Sequence, residues 1–135
     1  MSNFILNDTL AADTVELTRW PLCRVLLMND SRYPWIILVP ARADMKEIHD
    51  LAPADQTLLI SELDRASRVL ADLFTPNKIN VGALGNIVSQ LHIHVVARHA
   101  DDDAWPGPVW GAHTPIPYEQ TELKNLTEQL QNALQ

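Results

Sequence analysis

Leu59, Leu63, Ala66, Leu70 and Leu73 follow one another at spacings of 4, 3, 4 and 3. That rhythm puts an apolar stripe down one side of a helix. Pro53 suits a first helical position, Ala52 before it is a poor cap, and Thr75-Pro76-Asn77 stops the run. The pattern therefore predicts a helix over residues 53–74, with Asp64 and Arg68 paired on its polar side. Leu123, Leu126, Leu130 and Leu134 repeat the helical spacing and predict a second helix over about 119–134. A short helix is expected within residues 3–13, capped by Asn7 or Asp8, and one or two helical turns within 45–51.

Elsewhere the apolar positions follow strand logic. Val15–Arg19, Leu22–Met28 and Trp35–Val39 are rich in Val, Ile and Leu. Trp20-Pro21 breaks the first pair, because proline lacks the ladder donor. The turn cluster Asn29-Asp30-Ser31-Arg32-Tyr33-Pro34 joins the second pair as a hairpin. Ile79–Leu84 and Val88–Ala97 predict two more strands, with Gly85-Asn86 turning between them. Residues 99–118 are expected to be irregular. Strands that are not separated by regular helices point to an α+β fold, with an antiparallel sheet of about five strands and a long helix packed on it.

Within Val88–Ala97 polar and apolar residues alternate. Strand side chains point to opposite faces with period two. Gln90, His92 and His94 are thus expected on one face and Leu91, Ile93 and Val95 on the other. The first face presents an amide and two imidazoles in a row about 13 Å long, at ~3.3 Å per residue.

Composition narrows what that row serves. The chain has 135 residues, enough for one domain with a real core. Apolar residues make up 47% and charged residues 20%, a globular balance rather than a disordered one. Ten basic against 17 acidic residues give a net charge of −7, and no Lys/Arg cluster occurs. Stable binding to long nucleic acid is therefore not expected. A single nucleotide is not excluded, because a few aimed donors suffice for one phosphate. No apolar run approaches membrane-span length. The first basic residue is Arg19, which leaves no charged signal-peptide start. Cys23 is the one cysteine, suiting a reducing compartment. A cytoplasmic protein without membrane attachment is the expectation.

Imidazole is a good nucleophile and leaving group near neutral pH. On a strand face it can attack phosphorus and form a phosphoramidate intermediate. Such chemistry needs donors for the phosphate oxygens. Gln90, the Asn86 amide and backbone N–H groups near Gly85 are the candidates, and Ser89 is counted with them. The competing readings are an inert pair of sheet histidines and a metal site. A cupin-like metal site would want a Glu shortly after the histidine pair, and Val95-Val96-Ala97-Arg98-His99 offers none. No metal or other cofactor is expected. Cys23 is read as a buried small hydrophobe, His49, His113 and Asp101–Asp103 as solvated, and Trp105 and Trp110 as packing or dimer contacts.

Gln90-Leu-His92-Ile-His94-Val95-Val96 resembles the signature of the histidine-triad superfamily, in which three histidines alternate with apolar residues. Asn80-x-Gly82 and Gly85-Asn86 resemble that family's nucleotide loop, and the hairpin ending in Ile36–Pro40 and the helix of 53–74 fall where the family has its own. The resemblance covers residues 4–110 and is nearest to bacterial members with Gln at the first triad position. It implies a single domain over residues 1–135, with its core at about 4–110 and a C-terminal tail and helix at 111–135. It implies hydrolysis or transfer of nucleotides at the α-phosphate, and homodimers with sheets joined edge to edge. It maps the nucleophile to His92, a phosphate-binding histidine to His94, a phosphate-contacting amide to Asn86, a loop asparagine to Asn80, and a ribose-holding group to Asp30 or Asn29. The Trp105–Gly111 run falls where many members complete the site. The pattern is broken at Gln90, at Trp35 where many members have a further histidine, and at Ile87 where Ser or Thr is usual. A non-catalytic mononucleotide-binding module is the alternative these departures suggest.

Overall fold

The computed structural model describes residues 3–135; Met1 and Ser2, where the expected domain starts, lie outside the described residues. The chain runs α1 (Asp8–Asp13), β1 (Thr14–Arg19), β2 (Cys23–Met28), β3 (Trp35–Pro40), a 3-10 turn (Ile48–Asp50), α2 (Pro53–Phe74), β4 (Lys78–Gly82), β5 (Ile93–Arg98) and α3 (Gln120–Ala133). The five strands form one antiparallel sheet in the order β1-β2-β3-β5-β4, the α+β arrangement expected from the sequence.

Every residue of β3 and β5 is buried, which explains why Trp35–Val39 is apolar without alternation: both faces of the sheet are covered. On one face Ile36, Leu38, Ile93, Val95 and Ala97 pack with Leu59, Ala66 and Leu70 of α2 and with Leu130 and Leu134. On the other, Trp35, Ile37, Val39 and Val96 meet Leu10 of α1 and Val109. Each such aliphatic side chain contributes ~1.5–3 kcal/mol when fully buried. The C-terminal helix is tied to the first face by the Trp20 indole N–H, which donates to the Leu134 carbonyl at 3.0 Å. Arg65 lies 4.5 Å over the Trp20 ring and donates to the same carbonyl at 2.9 Å.

Local chemistry explains the boundaries. Ala52 gives α2 no side-chain cap. Pro53 at the first helical position removes one donor that would need a partner, and the Gln56 side chain donates back to the Leu51 carbonyl at 3.0 Å. Asp64 and Arg68 pair at 2.9 Å on the exposed side, as the spacing predicts. The N-terminal helix is shorter than 3–13, because Asn7 caps it, accepting from the Thr9 and Leu10 N–H groups. The fifth strand begins at Ile93, five residues later than the apolar pattern suggests. Its partner β3 pairs Leu38 with Ile93 and ends at Pro40, which has no N–H to extend a ladder, and the Leu91 N–H turns instead to the Met45 carbonyl at 2.9 Å.

One buried acid is structural. Glu62 of α2, 5% exposed, accepts from the Leu22 and Cys23 backbone N–H groups at 2.9 and 2.8 Å, where Pro21 has interrupted the hairpin. Burial, with the Glu62 carboxylate next to it, pushes the Cys23 thiol far up, so this cysteine is an inert core residue, as expected. Glu62→Ala leaves two buried donors unpaired. The expected loss is ~2–4 kcal/mol, read as a lower urea midpoint at unchanged m-value. A midpoint within error of wild type would show those donors to be dispensable. Among the described residues no helix is long and apolar enough to cross a membrane.

Candidate active site

His92 and His94 lie side by side, with ring centroids 4.9 Å apart and planes at 70°, and both are nearly buried. His94 sits in β5 opposite Ile37 of β3 and Gly82 of β4. His92 lies just before the strand. Its Nδ1 is 2.7 Å from the Gln90 backbone carbonyl. A carbonyl only accepts, so Nδ1 carries the proton and Nε2 keeps a free lone pair.

His94 has the opposite tautomer. Its Nδ1 is 3.0 Å from the Trp35 indole nitrogen. An indole N–H only donates, so Nδ1 is the acceptor and the proton of His94 is on Nε2. Burial, with a smaller effect of neighbouring His92, lowers the His94 pKa to about 4. Protonating Nδ1 would also set two donors against each other. The pair thus offers one imidazole as a lone-pair donor and one as a neutral N–H donor. Trp35→Phe removes the indole N–H, and the His94 titration is expected to move up from about 4 towards the ordinary imidazole range, followed by NMR of the ring carbons. An unmoved titration would mean that burial alone sets it. Folding expels a proton from His94 between its ordinary 6.5 and about 4, so its burial costs nothing above about pH 6.5 and destabilises the fold increasingly as pH falls towards 4.

Trp110 completes the wall. Its ring lies 5.5 Å from that of His94 and covers Gly82. A Cβ at Gly82 would lie 3.0 Å from the Trp110 ring, so a larger residue there would push the indole back by a few tenths of an ångström. Trp110 Nε1 is a buried donor that has no hydrogen-bond partner among the described residues. The loop carrying Trp110 is fixed by Arg98, 1% exposed, whose guanidinium grips the Asp102 carboxylate with two bonds of 2.8 and 2.9 Å and donates to Asn80 Oδ1 at 2.9 Å. Asp102 also accepts from the His99 and Trp105 N–H groups. It is therefore a buried anchor, not the solvated turn residue expected.

Two cavities meet at His92. The larger, about 510 Å³, is bordered by both histidines, Trp35, Ile37, Trp110, Asp30 and the Gly85–Val88 loop. The smaller, about 220 Å³, is bordered by Lys46, Glu47, His49, Gly85, Gln90 and His92. Gly85 has φ +76°, a left-handed conformation that favours glycine.

The sequence-predicted residues divide accordingly. His92, His94, Gly85, Asn86 and Asp30 are brought together at the large cavity. Gln90 is not. The alternation expected to align it with the histidines does not reach back beyond the strand, and its carboxamide clamps the N-terminal segment, accepting from the Asn7 N–H and donating to the Ile5 carbonyl, both at 2.9 Å. Asn80 holds Arg98. Asn29 accepts from the Tyr118 N–H at 2.9 Å, tying the tail to the β2–β3 turn. Ser89 is exposed and borders neither cavity. Asp30, 2% exposed, is gripped by Arg32 at 3.1 and 3.2 Å. His113 is not simply solvated: it borders the large cavity and pairs with the Tyr33 hydroxyl at 3.1 Å. Thr9, Leu10 and Asp13 of α1 also border that cavity, a contribution that no local pattern in the sequence signals.

The HIT domain family model matches residues 10–101. No curated protein matches the chain. Among solved structures, the chain is similar to a histidine triad protein from Marinobacter aquaeolei, with 45% identity over 97% of this chain and 96% of that one and a TM-score of 0.94. It is similar to a histidine triad protein from Sinorhizobium meliloti, with 43% identity over 97% of each chain and a TM-score of 0.93. A histidine triad protein from Bradyrhizobium japonicum is 41% identical over 98% of each chain, with a TM-score of 0.94.

Proposed function

The chain belongs to the HIT domain family, and on that premise we propose that it is a nucleotide hydrolase or nucleotidyl transferase acting at the α-phosphate of a nucleoside 5′-phosphate derivative. The observation that carries the proposal is the bond from His92 Nδ1 to the Gln90 carbonyl, which leaves Nε2 as a lone pair at the cavity.

In the proposed reaction His92 Nε2 attacks the α-phosphorus, and the leaving group departs with its bonding electrons. Water or another acceptor then attacks the nucleotidyl-histidine and restores the imidazole. The His94 Nε2–H, the Asn86 amide and backbone N–H groups at Gly85 hold the charge that builds on the phosphoryl oxygens. Asp30 takes the ribose hydroxyls, and the base lies on apolar residues such as Ile37. A cavity of about 510 Å³ falls in the range of small-ligand sites, ~300–1,000 Å³. Gln90 serves through its backbone carbonyl and through its hold on the N-terminal segment, while Asn29 and Asn80 act at one remove by fixing the tail and Arg98. No long nucleic acid or membrane is a partner in this reading. Two copies join at β4, an edge strand that among the described residues pairs with β5 alone and is followed by the exposed Leu84 and Ile87.

The test is a trapped intermediate. Wild type and His92→Ala are mixed with a nucleoside phosphoramidate, a dinucleoside polyphosphate and a nucleotidyl ester, quenched, and weighed intact. One nucleoside monophosphate on wild-type His92, absent from the variant, is the expected result. If both proteins are inert and free of adduct while a mononucleotide still binds, the chain is a binding module rather than an enzyme.

A further inference from the structure

Gln90 stands at the triad position that carries no imidazole, and it does not border the large cavity. Its Oε1 accepts from the Asn7 backbone N–H and its Nε2 donates to the Ile5 carbonyl, both at 2.9 Å. These bonds cross 83 and 85 positions of sequence, so they fasten the start of the chain to the run that leads into β5. The part they fasten does border the cavity. Asn7 caps α1 through its side chain, and Thr9, Leu10 and Asp13 of α1 line the large cavity. Leu10 is buried in the cluster that holds Trp35 and Ile37, and Ile37 is the residue on which the proposed base lies.

We infer that Gln90 is a positioning residue for nucleoside binding: its carboxamide latches the N-terminal segment, so that α1 closes one wall of the large cavity. This rests on the reading of that cavity as the nucleoside site. Three observations lead to it. The first is that α1 has six residues, too few to be stable without outside support. Its end is held where the Asn29 N–H donates to the Asp13 carbonyl at 3.1 Å, and its middle by the burial of Leu10. The second is that the residues before α1 rest on little else. Phe4 and Leu6 are partly buried, with Arg24 5.0 Å over the Phe4 ring, but Ile5 is 80% exposed and brings no burial to the junction. The third is the fit of the amide. A carboxamide presents a donor and an acceptor side by side, matching the Ile5 carbonyl and the Asn7 N–H. An imidazole carries its two nitrogens on different sides of a ring and serves one of those groups.

The backbone carbonyl of the same residue sets the His92 tautomer. Gln90 thus supports the nucleophile through one atom and the nucleoside wall through others. A side-chain substitution removes the second support and keeps the first.

The experiment reads binding and local opening. Adenosine 5′-phosphate is titrated calorimetrically into wild type, Gln90→Met and Gln90→His. Amide hydrogen exchange is followed by NMR at Asn7, Thr9, Leu10 and Ala11, with and without the nucleotide. In wild type the nucleotide is expected to slow exchange at these four amides. In Gln90→Met, which keeps the length of the side chain and loses both bonds, their exchange is expected to quicken about tenfold, while amides of β3 and β5 keep the wild-type rate. The Kd rises about three- to tenfold, because the closed wall is populated less. On any accepted substrate the loss falls on KM more than on kcat. Asn7→Ala, which removes the cap of α1 and keeps its backbone N–H, is expected to raise Kd too, and less than additively with Gln90→Met. Gln90→His completes the three-histidine pattern and is expected to behave as Gln90→Met does. If Gln90→His binds or turns over better than wild type, the position serves the phosphoryl group and the latch is overturned. Faster exchange at the four amides with an unchanged Kd makes the segment a tether with no part in binding, which also overturns it. If wild type itself binds no mononucleotide, it is the parent reading that fails.

Discussion

His92→Gly is expected to lower kcat on any accepted substrate by ~10⁴-fold or more, while binding of the nucleoside monophosphate changes little. The proposed nucleophile is lost outright, and the rest of the site is built independently of it. His94 is held by Trp35 and Trp110, and the Gly85–Val88 loop does not hang on the imidazole. The variant also leaves a ring-sized space beside the large cavity. Added imidazole is therefore expected to restore part of the turnover, with saturation, and to yield free nucleotidyl-imidazole detectable by phosphorus NMR. A purely structural role for His92 would give no such product. His94→Ala should cost less, ~10²–10³-fold, as for removal of one donor to a developing oxyanion. Equal losses in both variants with no rescue would argue against His92 as nucleophile.

Arg98→Met is expected to destabilise the fold by ~3–5 kcal/mol, a large part of the ~5–15 kcal/mol that holds a domain of this size together. Its guanidinium is 1% exposed, lies 5.7 Å from both the Tyr33 and Trp105 rings, and makes two bonds to Asp102 and one to Asn80. Removing it strands a buried carboxylate. The Arg98 guanidinium also holds the Asp102 carboxyl below the usual carboxylate range. A depressed carboxylate pKa stabilises the fold above its unfolded value, near pH 4, and the contribution is lost as pH falls below that. In Arg98→Met the largest part of that contribution is lost, leaving the His99 and Trp105 N–H groups, so acid unfolding starts at a higher pH. Thermal melts at pH 7 and pH 3 check both points, with a fall of at least ~10 °C expected at pH 7. A fall of a degree or two would show the pair to be incidental.

Much of the frame was legible because it rests on local rules. The leucine stripe of α2, the break at Pro21 and the apolar run of β3 each determine an element within a few residues. The two imidazoles were also legible, since alternation with Ile93 and Val95 holds within β5 and reaches back one residue to His92. The rest depends on contacts across tens of residues. Nothing near Gln90 announces that Asn7 and Ile5 will take its carboxamide, and nothing near Asp102 announces Arg98 as a buried partner rather than water. The tautomers follow the same division. That of His92 is set two residues away, by the Gln90 carbonyl, but that of His94 is set by Trp35, 59 positions upstream. The resemblance flagged Trp35 as a departure, and the geometry shows what the indole does in that place.

The pairing of β3 with β5 also has a kinetic meaning. Strands β1, β2 and β3 join through short turns, whereas Trp35 meets Val96 only after α2 and β4 have been accommodated between them. Closing a loop of that length costs chain entropy that grows as ~1.5RT per unit of ln n, and nothing is gained until the strands touch. The local three-strand meander can therefore form while the last central pairing is still open. A chain stopped at that stage has strands and an apolar surface, but its His94 imidazole has no fixed proton position. Chemical competence arrives with the final closure, not in proportion to the structure already formed.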